Sequence, residues 1–345
     1  MNINILRNYV SNCQLDAKVK SMKESILFID IAGFKPLPDL RFLELCSSGL
    51  TTFYTSEPAK ALDLIHTTEN AKVLIINAPK PELFFEFLQK NPNSHTILIT
   101  DLPLAVYSPE LGCCEERLIK HIIANRFPSA WSENELRVSL RKLLKQDFFG
   151  IDKYLESSAR TVSLKITGSA VKEAYCQELA NYARSLRLGT HFAKQVSGIT
   201  EELLTNAIFD APLKVQNGRY VNSIKKRKIV FDEADQGELC FGSNGSVFAI
   251  GVRDLFGTLP KEHFFDYLRK VMRRNEDFEK LIDTKEIGAG LGLYKIFYHS
   301  HALICNSIKG QITEVISLID LNFKVKDFGK IAKSVHFFSE EKPVS

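Results

Sequence analysis

The sequence predicts an α/β protein of two domains, a doubly wound parallel sheet followed by an α/β sandwich. Three observations carry this. Short apolar runs alternate with helical patterns between Ile26 and Gln146. Runs of that length suit strands buried on both faces, and strand–helix alternation implies a parallel sheet with right-handed crossovers. The pattern then changes to amphipathic helices followed by strand pairs with tight turns. Finally, 345 residues are enough for about two domains, and 45% hydrophobic with 25% charged residues is ordinary globular composition.

Each element follows in order. Residues 1–20 are polar and aperiodic and read as a tail. The first domain spans 21–147. Its predicted strands are Ile26–Ile31, Leu50–Tyr54, Lys72–Ile76, Thr96–Ile99 and Lys120–Ala124. Its predicted helices are Asp39–Cys46, Pro58–Thr67, Pro81–Gln89 and Ser132–Gln146. The last begins with a capping box, Ser132 and Glu135, and carries a leucine stripe at 136, 140, 143 and 144. Residues 148–158 read as a linker. The second domain spans 159–330, with 331–345 as a C-terminal tail. It opens with strand Thr161–Thr167 and helices Val171–Leu186 and Thr190–Phe209. After a basic loop, 214–228, come strands Lys228–Asp232, Gly237–Gly242 and Ser246–Val252, the last two joined by the hairpin turn Ser243-Asn244-Gly245. Helix Glu262–Arg274 and strands Ala302–Ser307 and Thr313–Ile319 complete the domain.

Charge and cysteine usage exclude some functions. A net charge of +4 is too small to argue for nucleic-acid binding. The seven cysteines show no C-x-x-C spacing, which predicts reduced thiols and a cytoplasmic setting. No apolar run approaches the roughly 18 residues of a membrane span, so no membrane partner is expected.

Three motifs carry chemistry. Glu202 and Asn206 lie four apart on one helix face. A carboxylate and an amide carbonyl there can hold a hydrated Mg²⁺, or the carboxylate can orient an attacking hydroxyl. Asp254 ends an apolar strand, with Gly257 three residues on. A carboxylate in that place can accept the adenine amino group, and glycine lets backbone pass close to the base. Gly288, Gly290 and Gly292 open a helix whose N-terminus favours an anion. Without a following Lys-Ser/Thr the run is not a P-loop, and its polar lead-in does not suit a dinucleotide fold.

In this order, helix E-x-x-x-N-A, strand-D-x-x-G, G-x-G-x-G-L and a final Thr-bearing strand, the second domain resembles the Bergerat-fold ATPases over about residues 155–325. That superfamily includes histidine-kinase catalytic domains, anti-sigma-factor serine kinases and gyrase-type topoisomerases. The resemblance implies ATP and Mg²⁺ as cofactors. It makes Asn206 the metal ligand and Glu202 the catalytic or metal-ordering carboxylate. It puts Asp254 on adenine with Gly257 beside it, Gly288, Gly290 and Gly292 on the phosphates, and the Thr313 hydroxyl near the base or phosphate. Residues 258–287 would form the ATP lid. One departure stands out: the usual D-x-G-x-G is Asp254-Leu255-Phe256-Gly257-Thr258 here. No phosphoacceptor hairpin precedes the domain, and the layout looks most like the anti-sigma-kinase branch.

The first domain resembles flavodoxin-like response-regulator receivers, in degenerate form. Asp30 stands at the end of the first strand and Thr100 at the end of the fourth. Asn77 occupies the phosphoacceptor position and Arg126 is the nearest cation after the fifth strand. Asn cannot form an acyl phosphate, so a pseudo-receiver used for docking or dimerisation is expected.

The combined expectation is a signalling protein that binds ATP and one or more partner proteins, with a homodimer as one assembly. Two activities stay open: phosphoryl transfer from ATP to a partner's Ser or Thr, and nucleotide-gated interaction without turnover.

Overall fold

The computed structural model describes residues 25–31, 50–67, 71–77, 87, 94–107, 119–126, 129–155, 159–215, 219–226, 228–272, 291–322 and 331–340. The chain is mixed α/β and forms two compact units. The first comprises Met1–Asp101 and Glu115–Gln146, the second Leu102–Cys114 and Asp147–Ser345.

The first unit contains strands β1 (Ser25–Asp30), β2 (Thr51–Thr55), β3 (Ala71–Asn77), β4 (His95–Thr100) and β5 (His121–Ala124), all parallel, in the order β2-β1-β3-β4-β5. Ile26–Ile29, Val73–Ile76 and Ile97–Ile99 are fully buried, as continuous apolar runs require. Helix α1 (Pro58–Thr67) follows β2, and α2 (Ala130–Lys145) follows β5. The cap of α2 is Ser129, not Ser132: the Ser132 N–H donates to Ser129 Oγ at 3.2 Å. Glu135 instead accepts the Trp131 indole N–H at 3.1 Å. The expected helices Asp39–Cys46 and Pro81–Gln89 lie outside the described residues, apart from Phe87, as does segment 1–20.

The second unit contains β6 (Arg160–Ile166), β7 (Gly237–Ser243), β8 (Val247–Asp254), β9 (Ala302–Ile308), β10 (Ile312–Asp320) and β11 (Ser334–Ser339), in the order β11-β9-β10-β8-β7-β6. Pairing is antiparallel except between β9 and β11. Helices α3 (Lys172–Ser185) and α4 (Gly189–Thr205) cover one face through aromatic contacts. Tyr182 packs on Phe241 at 5.1 Å and on Phe248 at 5.8 Å between ring centres, and Phe192 packs on Phe248 at 5.4 Å. Helices α5 (Lys261–Met272) and α6 (Leu291–Tyr298) complete the described elements used below.

Four further expectations need correction. Residues 148–155 are not a free linker: Phe148, Ile151, Tyr154 and Leu155 are buried. They cover the sheet face opposite α3 and α4, where Ile151 fits against Gly251. The Glu314 carboxylate fastens this segment by accepting the Gly150 N–H at 3.0 Å. It also accepts from Asn306 Nδ2 at 2.8 Å and Arg253 Nη2 at 2.8 Å. Nor is 331–345 only a tail. Ser334–Phe338 is buried within β11, and Phe338 stacks on Phe148. Burial on both sides of that strand leaves no alternation to read. Lys228–Asp232 contributes a single bridge, Val230 to Gly168, rather than a strand. Lastly, helix Thr190–Phe209 is α-helical only to Thr205 and continues as a π-turn, Asn206–Asp210.

Candidate functional site

The site lies on the helix-covered face of the second unit's sheet. Side chains alternate along β8, so Phe248, Ile250, Val252 and Asp254 share this face. The antiparallel register sets Thr313 of β10 opposite Asp254, and Ser307 of β9 opposite Thr313. Three polar residues therefore form one row across adjacent strands, all of them buried.

Asp254 builds the loop that follows it. Its Oδ1 accepts the N–H groups of Phe256 and Gly257 at 2.9 and 3.2 Å. Its Oδ2 has no hydrogen-bond partner among the described residues. Burial pushes the Asp254 carboxyl up to about 7, against the opposing pull of those two N–H groups and of Lys214. The Thr313 hydroxyl is also buried, with no hydrogen-bond partner. The Asp254 Oδ2 and the Thr313 hydroxyl thus stand as neighbouring polar groups on one cross-strand pair.

Gly257 has φ +59, and a Cβ there would lie 2.3 Å from the Ile308 carbonyl oxygen. The Gly257 carbonyl accepts the Gly310 N–H at 2.9 Å. Glycine is thus required to seat the loop on the β9–β10 turn. Phe256 is part of an aromatic cluster with Tyr220 and Phe231, at 6.3 and 5.6 Å. The departure from the D-x-G-x-G spacing therefore places a core residue. A cavity of about 140 Å³ lined by Pro212, Tyr220, Leu255, Phe256 and Gly310 adjoins this loop.

The second part of the site is at the C-terminal end of α4. Glu202 and Asn206 share a face, as their spacing predicts. The half-buried Asn206 amide makes no side-chain hydrogen bond among the described residues. A π-turn starts at Asn206 itself, and such irregularities frequently mark functional positions. Gly292 of α6 sits against both side chains: a Cβ on it would lie 2.7 Å from Glu202 Oε2 and 3.6 Å from Asn206 Oδ1. Gly288 and Gly290 lie outside the described residues.

Sequence reasoning missed Lys295, whose ammonium pairs with Glu202 Oε1 at 2.9 Å. It also missed Asp210 and Lys214. Partial burial raises the Asp210 carboxyl, with Lys214 opposing and Glu202 adding to the rise. Lys214 therefore feels both Asp210 and Asp254, and Asp210 feels Glu202. The Asp254 loop and the Glu202–Asn206 end of α4 are electrostatically linked. They are also joined by a bond from Thr258 Oγ1 to the Ala211 carbonyl at 3.0 Å. On α5, Lys261 lies 3.8 Å from Glu262 and Arg269 pairs with Asp266. Arg273 and Arg274 fall outside the described residues.

The Glu202 carboxylate and the Asn206 amide oxygen are hard-oxygen donors of the kind Mg²⁺ accepts. Among the described residues no group of three His, Cys, Asp or Glu could hold an ion. Mg²⁺ ordinarily takes one or two protein ligands, with substrate phosphates and waters supplying the rest. The described cysteines Cys176, Cys240 and Cys305 are free thiols, and no helix among the described residues is long and apolar enough to cross a membrane.

In the first unit, Asp30 and Asn77 end β1 and β3 as register partners. Asn77 Nδ2 donates to Asp30 Oδ1 at 2.6 Å and the Tyr54 hydroxyl to Oδ2 at 3.0 Å. Both acidic oxygens are therefore occupied. Thr100 is buried at the end of β4, Arg126 lies over the Trp131 ring, and Asp101 is held by Asn125 Nδ2 at 3.2 Å.

No protein-family model matches this chain, and a search of curated proteins finds no significant match.

Proposed function

We propose that the second unit binds ATP with Mg²⁺ in a Bergerat-type pocket, and that nucleotide occupancy regulates a protein partner. The observation that carries this reading is the cross-strand pair of Asp254 and Thr313. Both present an unpartnered oxygen on the helix-covered face, a matched acceptor and hydroxyl for an amino-bearing base. Asn206 and Glu202 beside Gly292 supply the metal and phosphate end. The strand order of the first unit, 2-1-3-4-5, supports a flavodoxin-like pseudo-receiver. Its occupied Asp30–Asn77–Tyr54 cluster suits docking rather than phosphorylation.

Glu202 is ion-paired to Lys295, so Ser/Thr phosphorylation of a partner would require that pair to open first. Calorimetric titration of the full chain with ATP, with and without Mg²⁺, tests the reading. The intact protein binds ATP more tightly with Mg²⁺, and Asn206→Ala loses that metal dependence while its fold persists. Equal ATP affinity with and without Mg²⁺ in the intact protein would sink the metal assignment. No ATP binding at all would sink the whole reading, and ADP release that depends on a partner would restore the kinase.

A further inference from the structure

We propose, on top of the nucleotide-binding reading, that Lys295 is a polyphosphate ligand that exchanges Glu202 for phosphate when ATP·Mg²⁺ binds. Glu202 and Lys295 are each other's only ion-pair partner among the described residues, and both are half-buried. The pair joins α4 to α6, elements 93 positions apart in sequence. Lys295 lies three residues after Gly292 on the same helix, so it rises from the face that meets Glu202 and Asn206. The ammonium therefore stands beside the two side chains suited to a metal.

That arrangement sets up a competition. A dication reaching Asn206 and Glu202 alone would meet a fixed positive charge already paired with the same carboxylate. The site therefore disfavours free Mg²⁺. A metal arriving with a polyphosphate brings its own negative charge. Lys295 can then turn from Glu202 to a phosphate oxygen, and Glu202 is freed toward the metal's hydration shell. No bond is made or broken; the ammonium keeps its protons and changes one anionic partner for another. A partly exposed pair serving only to join two helices would contribute little, and its removal would leave nucleotide affinity alone.

The test is calorimetric titration of the full chain and of Lys295→Gln, Lys295→Arg and Glu202→Gln with ATP, ADP and adenosine, each with and without Mg²⁺. Lys295→Gln should lose about ten- to a hundredfold in ATP affinity, the range expected for a hydrogen bond to a charged group, while adenosine binding is unchanged. Lys295→Arg should keep part of the ATP affinity. Glu202→Gln should bind metal-free ATP at least as tightly as the intact chain, because its lysine is already released. Undiminished ATP affinity in Lys295→Gln overturns the proposal, and so does an equal loss for ATP and adenosine, which would mark a structural role. If the intact chain binds none of the three ligands, the nucleotide reading itself fails and this assignment falls with it.

Discussion

Asp254 is where the cost of the site can be measured. Its carboxyl is raised from 3.8 to about 7, with burial as the leading cause. At 1.36 kcal/mol per pH unit, ionising it inside the fold costs about 4 kcal/mol at most. A folded-state value above the unfolded one means the folded chain holds the proton longer. The associated stability is fully present below pH 3.8 and is lost as pH rises through 7. Asp254→Asn removes that dependence without breaking the loop, because an amide oxygen can still accept the Phe256 and Gly257 N–H groups. The variant's advantage over the parent should grow by about 2 kcal/mol between pH 5 and pH 8.5, after allowing for water reaching the loop. Urea melts at both pH values provide the measurement. The same variant should lose at least about tenfold in ATP affinity, since an amide donor would replace Oδ2 opposite an amino donor. An equal stability difference at both pH values would refute the burial argument.

Two further substitutions probe the opposite faces of the same sheet. Gly292→Ala would place its Cβ 2.7 Å from Glu202 Oε2; the carboxylate must move, so ATP affinity should fall while thermal stability changes by less than about 1 kcal/mol, the range of an exposed helical Gly-to-Ala exchange. Calorimetry and a thermal melt read the two effects. Glu314→Gln on the back face would set an amide NH₂ among three donors, Gly150, Asn306 and Arg253. Breaking a buried pair costs about 3–5 kcal/mol, discounted to about 2–3 here because Arg253 is partly exposed. Urea melts should show the loss, and limited proteolysis should open residues 148–155.

Strands β1, β3, β4 and β5 were legible because each is buried on both faces and so reads as an apolar run. The Glu202–Asn206 pair was legible because helical spacing is local. What the sequence could not reveal was pairing at a distance. Nothing near Thr313 announces that its register partner is Asp254, or that Ser307 extends the row. Lys295 reads as an ordinary surface lysine until α4 and α6 come together. Phe256 stood out as an intruder in a glycine motif, yet its place is fixed by Tyr220 and Phe231, which lie 36 and 25 positions upstream in the numbering. The 148–155 segment and β11 escaped for a related reason: they are short pieces whose burial is provided by strands elsewhere in the chain.

Strand alternation joins these observations. Arg253 and Glu314 are register partners, as are their immediate neighbours Asp254 and Thr313. The first pair faces the 148–155 segment and is tied by hydrogen bonds and an ion pair, with Arg253 Nε alone left without a partner. The second pair faces the helices, where the buried Thr313 hydroxyl has no partner and Asp254 bonds only the loop that follows it. One pair of strands thus carries an ion-paired anchor on one side and a pair of polar groups with spare hydrogen-bonding capacity on the other. A fold under selection for stability alone would fill the second side with apolar residues, as Val252 and Val315 do at the adjacent register pair. Asp254 repays part of its cost by building the loop that follows it, and under the proposed nucleotide binding a ligand taken up by the folded state alone would add stability by mass action. The back-face anchor also explains how the site tolerates that cost, because Glu314 holds β8 and β10 in register whether or not the front face is occupied.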